Sequence, residues 1–157
     1  MELTLQKSTA KKLFPESPDW FKKVLTETFG KDLFKKKSFE DIKTFEDACE
    51  ELGITNDSCK PIFDENEDPD EIAYKKLKVI VAAINQGWVP DWNNSSQYKW
   101  SPWFNLSSGF GFSASVYVYS LTFTSAGSRL CFESEAKSNY AGKQFADLYE
   151  QFLTIKK

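Results

Sequence analysis

The chain changes character at Gly87. Residues 1–87 carry most of the charged side chains, whereas residues 88–134 contain only two basic and two acidic residues. The second stretch also holds twelve aromatic residues. Segments that are poor in charge and rich in aromatic and β-branched residues favour strands over helices. We therefore expect a helical first part followed by a sheet-forming part.

Two short helices are predicted in the first third of the chain. The first has Ser17 as its N-cap and ends at Gly30, with one apolar stripe between them. The second begins at Thr44, which has the spacing of a capping box with Asp47, and it ends at Gly53. Each helix therefore has one face that can pack in a core.

A longer helix is predicted from Asp68 to Gly87. Asp68 can act as the N-cap, and Pro69 fits the first turn, where the missing N–H group of proline is not needed. The apolar stripe of this helix consists of Ala73, Leu77, Ile80, Val81 and Ile84. The acidic run around its start is similar to a calcium-binding loop, but Pro69 stands where that loop needs glycine and Lys75 where it needs glutamate. We therefore interpret the run as a helix start and predict no metal site.

Three strands are predicted in the low-charge part of the chain. In the main strand, at 110–119, apolar residues alternate with small residues or tyrosines, which is the period of a half-buried strand. A turn at 125–127 leads to a second strand at 128–132. A further strand is predicted at 98–104, and Pro102 places it at an edge because proline cannot donate a ladder hydrogen bond.

A closing helix is predicted at 135–154. Its apolar stripe consists of Tyr140, Ala141, Phe145, Leu148, Tyr149, Phe152 and Leu153. Gly142 inside it costs about 1 kcal/mol relative to alanine, which indicates a close approach to the sheet or to another helix.

The predicted fold class is α+β, with N-terminal helices and a C-terminal helix packed on a small antiparallel sheet. We expect a single domain over residues 1–157. Its parts are a mainly helical region at 1–87, the aromatic-rich sheet at 88–134 and the closing helix at 135–154.

Composition excludes several classes of function. The chain has no histidine, which removes the commonest general base and transition-metal ligand. An enzyme that uses carboxylates, lysine or tyrosine stays open as a third hypothesis, but the sequence shows no paired-carboxylate or nucleophile constellation, so we predict a non-enzymatic protein without a cofactor. Cys49, Cys59 and Cys131 form no CxxC pair and are interpreted as reduced packing residues, with Cys131 the one candidate for a reactive thiol. A net charge of −3 argues against general nucleic-acid binding. No apolar run approaches the roughly 20 residues that span a bilayer, so we expect no membrane association and a cytoplasmic protein.

The segment WVPDWNNSSQYKWSPWF, at residues 88–104, is the main candidate for a binding surface. Its candidate contact residues are Trp88, Trp92, Asn93, Asn94, Tyr98, Trp100 and Trp103. Core packing, a protein interface and ligand stacking are all compatible with such an aromatic cluster. In a regular strand Trp100 and Trp103 face opposite sides, so a continuous stacking platform is not assured. An open tryptophan beside the two asparagines would favour binding, whereas full burial would indicate a structural role.

The main strand offers a second candidate site. Tyr117 and Tyr119 alternate with serines on its polar side, and Arg129 would come close to them if the second strand pairs with the main one. Arg129 and phenolic hydroxyl groups could together bind a phosphate or a carboxylate. The alternative is an arginine–tyrosine packing pair on an open sheet face.

Four segments resemble a known group of sequences. They are IKTFEDACEELGI at 42–54, the segment at 88–92 that contains PDW, SRLCFESE at 128–135 and YAGKQFADLYEQFL at 140–153. Together they resemble a family of uncharacterised small proteins encoded by phages and prophages of gut Bacteroides-type bacteria. The resemblance covers most of the chain and brings no activity with it. It implies a viral gene product, which is either a virion or assembly component or an accessory protein that acts on the host.

Two functional hypotheses follow from these observations. The first is a non-enzymatic phage-type interaction protein, located in the cytoplasm of the bacterial host or on the virion. It would present the aromatic sheet and the loop at 91–97 to a protein partner or to its own copy, because an uncovered aromatic sheet is an aggregation hazard. The alternative is a small-ligand binder that sequesters an anionic ligand, such as a nucleotide signal, through aromatic stacking and Arg129.

Overall fold

The computed structural model of the protein describes residues 5–35, 38–54, 66–107 and 109–155. In chain order, the helices and strands within these ranges are α1 Lys7–Leu13, α2 Asp19–Phe29, α3 Phe45–Glu51, α4 Pro69–Asn85, β1 Lys99–Asn105, β2 Gly111–Val118, α5 Glu135–Gln144 and α6 Ala146–Leu153. Short 3₁₀ turns occur at Lys31–Phe34, Phe39–Asp41 and Gly127–Arg129. This is the α+β architecture that the sequence predicts. Cys59 and the first residues of the acidic run lie outside the described residues.

The N-caps predicted at Thr44 and Ser17 have different outcomes. The Thr44 hydroxyl accepts a hydrogen bond from the Asp47 N–H at 3.0 Å, and the Asp47 carboxylate accepts one from the Thr44 N–H at 2.9 Å, so the capping box of α3 is confirmed. The prediction for Ser17 was wrong, because α2 begins two residues later. The Ser17 hydroxyl instead donates to the carbonyl oxygen of Leu13 at 2.6 Å, where it satisfies one of the terminal acceptors of α1.

Helix α4 forms the centre of the core. Its predicted stripe is buried, together with Ala83 and Asn85. The helix ends where Gln86 takes a left-handed backbone conformation with φ of 52°. Helices α3, α5 and α6 pack around it, and Phe132 is fully buried in the same cluster. In the part of the chain that the structure describes, no helix is long and apolar enough to cross a membrane.

The sheet has β1 at its centre. On one side β1 pairs antiparallel with β2 from Lys99 to Asn105. On the other side, Trp100 and Phe132 exchange two backbone hydrogen bonds of 3.0 and 2.8 Å. The predicted second strand at 128–132 was therefore wrong over most of its length, because its first residues form a 3₁₀ turn and only Phe132 is paired.

A β-bulge in β2 changes which residues face the helices. Trp103 pairs with Ala114 and Phe104 pairs with Phe112, so Ser113 has no opposite residue. The strict alternation predicted for 110–119 is interrupted there. Beyond the bulge Ser115 lies on the side covered by α5, where its hydroxyl donates to the Ser138 hydroxyl at 2.7 Å.

The predicted closing helix is divided into two. Helix α5 ends and α6 begins on either side of Phe145, whose φ of −114° and ψ of 28° interrupt the helical backbone. The ring of Phe145 is buried in the core, so the interruption turns α6 onto α4. The close approach predicted at Gly142 is confirmed, since this residue lies against Phe112 and Pro102 of the sheet.

Candidate interaction surface

The structure separates the aromatic segment at 88–104 into three places. Trp88 and Trp92 are partly buried beside α4 and the turn at 127–129. Tyr98 and Trp100 lie at one end of the sheet with Tyr117 of β2 and with Tyr119, which follows β2. Trp103 is on the opposite sheet face. The segment is therefore not one continuous stacking platform, as the strand periodicity indicates.

The loop at 91–97 is closed by hydrogen bonds among its own residues. The Asp91 carboxylate accepts from the Asn93 N–H at 2.9 Å, and the Asn94 side-chain oxygen accepts from the Ser96 N–H at 2.9 Å. The Gln97 side-chain oxygen accepts from the Asp91 N–H at 2.7 Å. Both asparagines are exposed, but the side chain of Asn94 is used in these turns and that of Asn93 is not.

The side chain of Lys99 binds the backbone of this loop. The residue is fully buried, and its Nζ donates to the carbonyl oxygens of Asn94 at 3.0 Å and Gln97 at 2.9 Å. The same Nζ lies 5.4 Å from the centre of the Trp92 ring, and the Trp92 indole N–H donates to the Ser128 hydroxyl. Trp92 is thus part of the loop's support rather than an open stacking surface.

Three half-exposed tyrosines form an aromatic group at one end of the sheet. The exposed fractions are 46% for Tyr98, 47% for Tyr117 and 43% for Tyr119. Their ring centres lie 4.7 to 5.6 Å apart, and Trp100 lies 5.0 Å from Tyr117. We call this group, Tyr98, Trp100, Tyr117 and Tyr119, the tyrosine surface. The register accounts for it, because Trp100 is directly opposite Tyr117 and each next-but-one residue faces the same side.

The phenols of the tyrosine surface interact with one another. Hydrogen bonding to the Tyr98 side chain is the largest cause that raises the pKa of Tyr119 to about 12, followed by desolvation and by the charges of the neighbouring phenols. Tyr119 therefore keeps its proton at neutral pH. The surface offers neutral rings and hydroxyl groups to a partner.

Trp103 is the most exposed tryptophan of the segment, with 51% of its surface open. Its ring centre lies 6.1 Å from that of Phe123, in an edge-to-face arrangement. Both rings line a cavity of about 580 Å³ between the sheet, the segment at 122–126 and α6, and no charged side chain lines it. This tryptophan is open but does not lie beside Asn93 and Asn94, so the arrangement that would favour ligand stacking is absent there.

The structure places Arg129 apart from the strand position on which the second candidate site depended. Its segment does not pair with β2, so strand pairing does not bring it beside Tyr117 and Tyr119. Arg129 instead lines a cavity of about 350 Å³ with Lys78, Asn85 and Trp88. The Arg129 side chain forms no hydrogen bond or ion pair with any described residue.

A polar network that the sequence did not reveal lies beside this cavity. The buried Asn85 side chain donates to the Cys131 carbonyl oxygen at 2.9 Å and accepts from the Glu133 N–H at 3.2 Å. Lys137 forms an ion pair of 2.6 Å with Glu133 and donates to the Asn85 carbonyl oxygen at 3.4 Å. Burial raises the pKa of the Cys131 thiol to about 11, which argues against a reactive thiol. Lys99 could have been recognised as the one charge within the predicted strand at 98–104, whereas Asn85 left no such signal.

No group of three cysteine, aspartate or glutamate side chains in the described ranges is placed to hold a metal ion. Comparisons of the chain with protein-family models, with curated proteins and with solved structures found no match. The surfaces and cavities of the described residues are therefore the basis for proposing a function.

Proposed function

We propose that the protein is a non-enzymatic interaction protein whose tyrosine surface binds a protein partner. One observation carries the proposal: three half-exposed tyrosines contact one another at the end of a sheet. Two of them, Tyr117 and Tyr119, belong to a stretch, residues 100–128, that contains no charged side chain. Monomeric soluble proteins rarely leave a large uncharged aromatic patch uncovered unless it serves in recognition.

The chemistry of the tyrosine surface fits a protein partner better than a small ligand. Tyrosine and tryptophan are the residue types that most often dominate protein interfaces, because each buries a large ring and keeps a polar tip for hydrogen bonding. The surface lies outside the cavities described above. A partner would place apolar side chains on the rings and hydrogen-bonding groups on the three hydroxyls.

The biological setting is part of the proposal. The segments that resemble phage and prophage proteins support a viral gene product that acts either in the virion or its assembly, or on a host protein in the cytoplasm. In both settings the partner is a protein. The loop at 91–97 borders β1 and would form the polar rim of the contact.

Site-specific photo-crosslinking tests the proposal. Tyr119 is replaced by benzoylphenylalanine, and the protein is irradiated in extract of a Bacteroides-type host, with and without phage infection. We expect one dominant cross-linked protein, and we expect Tyr98→Ser with Tyr117→Ser to remove it. The control carries the same photoreactive residue at Trp20, which is 69% exposed on α2. Equal labelling from both positions, or none from position 119, would contradict the proposal.

A second candidate function is the binding of a small anionic ligand. It is favoured by the cavity that brings together the cations Lys78 and Arg129 and the ring of Trp88. Two cations beside one aromatic ring suit a ligand with a phosphate or carboxylate and a planar group. The site differs from the sequence hypothesis in using Trp88 instead of the strand tyrosines.

Calorimetric titration with a panel of nucleotides tests this second candidate. Binding should weaken about tenfold or more after Arg129→Gln, since a charge-assisted contact contributes on the order of 1.5–3 kcal/mol. Lys23→Gln on the exposed side of α2 is the control and should bind as the native chain does. Affinity that is absent, or unchanged by Arg129→Gln, would reject this role.

A further inference from the structure

The outer edge of β2 is unpaired in the described part of the chain. The sheet has two strands, with β1 on one side of β2 and no strand on the other. The segment after β2 does not cover this edge, because it passes beside Ser101 and Trp103 and continues to Phe132 at the far side of β1. Helix α5 packs on β2 from one face only.

The hydrogen-bond pattern shows which backbone groups point outward. Trp100 uses both its N–H and its C=O for Phe132, so neither is directed at β2. Trp100 and Tyr117 are therefore a non-hydrogen-bonded pair, and the N–H and C=O of Tyr117 point away from β1. By the alternation of a strand, those of Ser115 do the same. No described group outside the strands bonds to the backbone of either residue.

This edge lacks most of the features that prevent a free strand edge from pairing with another strand. Free edges are normally protected by lysine, proline, a bulge or a covering segment. The eight residues of β2 include no charged residue and no proline. The bulge at Ser113 limits regular pairing to 114–118, which leaves five residues with extended backbone, and among them Ser115 and Tyr117 have open donors and acceptors.

We propose that this edge pairs with the β2 strand of a second copy of the chain. The two strands would run antiparallel around a two-fold axis at Val116, so that Ser115 of each copy is hydrogen-bonded to Tyr117 of the other. The contact joins two sheets into one of four strands. It uses the strand edge rather than the exposed rings, so it does not depend on the proposed partner of the tyrosine surface.

The side chains favour a second copy as the occupant. In this register the small Ser115 lies opposite the large Tyr117, so the two rings are placed diagonally and do not collide. Uncharged strands also bring no like charges together, which would oppose self-pairing in a charged strand. The symmetric contact is closed, because both copies use the same five residues and no free edge of β2 remains.

Disulfide cross-linking tests the register. Two Val116 residues would meet at the axis as a non-hydrogen-bonded pair with Cα atoms about 4.5 Å apart, within the range that a disulfide bridges. In a Cys59→Ser background, Val116→Cys should therefore form a covalent dimer on mild oxidation. Val118→Cys lies opposite Ala114 of the other copy and should not, whereas Ala114→Cys combined with Val118→Cys should.

Sedimentation velocity with charge variants tests the pairing itself. The native chain should be a dimer, and Val116→Lys should raise the dimer dissociation constant by on the order of tenfold, because two lysines then lie directly opposite each other. Val118→Lys, which creates no such pair, should have a smaller effect. Circular dichroism establishes that each variant is folded.

Mixing Val116→Lys with Val116→Glu separates charge repulsion from general damage by the substitution. Opposite charges at the axis should restore a mixed dimer. A native chain that is monomeric at about 100 μM, well above micromolar affinity, would overturn the proposal. Equal cross-linking by single cysteines at 116 and 118 would overturn the register. If the chain is a monomer and its β2 edge binds an extended peptide of another protein, that peptide is the occupant and the proposal of a second copy is wrong. Because this register brings Tyr119 of one copy near residue 113 of the other, a cross-linked homodimer at position 119 counts towards the second copy, whereas a cross-link to a different protein counts towards the partner of the tyrosine surface.

Discussion

Gly142 in α5 lies directly against the ring of Phe112 in β2. A Cβ atom at position 142 would come within 2.7 Å of the ring's Cε2 atom and 2.8 Å of the Cβ of Pro102. Such distances are shorter than any real Cβ contact, so the helix can approach the sheet this closely only without a side chain at 142. One glycine therefore sets the distance between the closing helix and both strands.

Substituting Gly142→Ala should destabilise the protein. Alanine favours a helix by about 1 kcal/mol over glycine, but the overpacked methyl group should lower the free energy of unfolding by more, for a net loss of about 1–3 kcal/mol. Urea denaturation measures it. Gly111→Ala is the control, since its Cβ would meet no atom within 4 Å and should change stability by about 0.5 kcal/mol or less. A Gly142→Ala protein as stable as the native one would mean that the contact is looser than described.

Asn85→Ala should also lower stability. The substitution leaves the Cys131 carbonyl and the Glu133 N–H without their partner, at a position where the native Asn85 is only 6% exposed. Each unsatisfied buried group costs about 1–3 kcal/mol, so we expect a loss of at least about 2 kcal/mol in chemical denaturation. Asn93→Ala removes an exposed amide and should be nearly neutral. Similar effects of the two substitutions would show that the Asn85 hydrogen bonds contribute little.

Lys99→Met should loosen the loop at 91–97. Methionine fills a similar volume but cannot donate to the carbonyl oxygens of Asn94 and Gln97. Hydrogen bonds to a charged group contribute about 1.5–3 kcal/mol, so amide hydrogen exchange in the loop should be faster in the variant. Lys23→Met on α2 should leave that exchange unchanged. Unchanged protection in Lys99→Met would show that the loop's own turns suffice.

Tyr149→Phe should raise stability by about 1 kcal/mol at neutral pH. The Tyr149 hydroxyl is buried and has no hydrogen-bond partner among the described residues, so its removal relieves a desolvation cost. Burial also raises the pKa of Tyr149 above its usual value near 10. Above about pH 10 the unfolded chain loses this proton while the folded chain keeps it, so native stability should fall as pH rises.

Thermal or urea unfolding between pH 7 and 11 measures both effects. The Tyr149→Phe chain should lose less stability above pH 10 than the native one. Tyr74→Phe is the matched control, because Tyr74 is only partly buried and stacks on Phe152. A loss of stability in Tyr149→Phe at neutral pH would indicate that the hydroxyl has a partner after all.

Local signals in the sequence were reliable where the interacting groups are close in the chain. The capping box of Thr44 and Asp47 spans three residues and formed as predicted. The charge, proline and glycine signals around α4 also set its length nearly correctly. Gly142 is a partial exception, since a glycine inside a helix indicated a close contact without identifying Phe112 as the neighbour.

Signals failed where a distant segment decided the outcome. The bulge at Ser113 depends on how β2 matches β1, and it exchanges the predicted faces of the strand beyond it. Phe145 interrupts the closing helix because its ring enters the core formed mainly by α4. Arg129 lies in a 3₁₀ turn beside α4, so the strand pairing on which its predicted site depended does not occur.

The sequence by itself determined the α+β class, the position of the central helix and the concentration of aromatic residues after Gly87. These follow from spacing and composition, which act over a few residues. Only the tertiary structure decided which aromatic rings are open. Trp92 is held over Lys99, while Tyr98 and Trp103 remain exposed. The physical reason is that burial depends on which distant segment covers a ring, and the same strand pattern is compatible with either result.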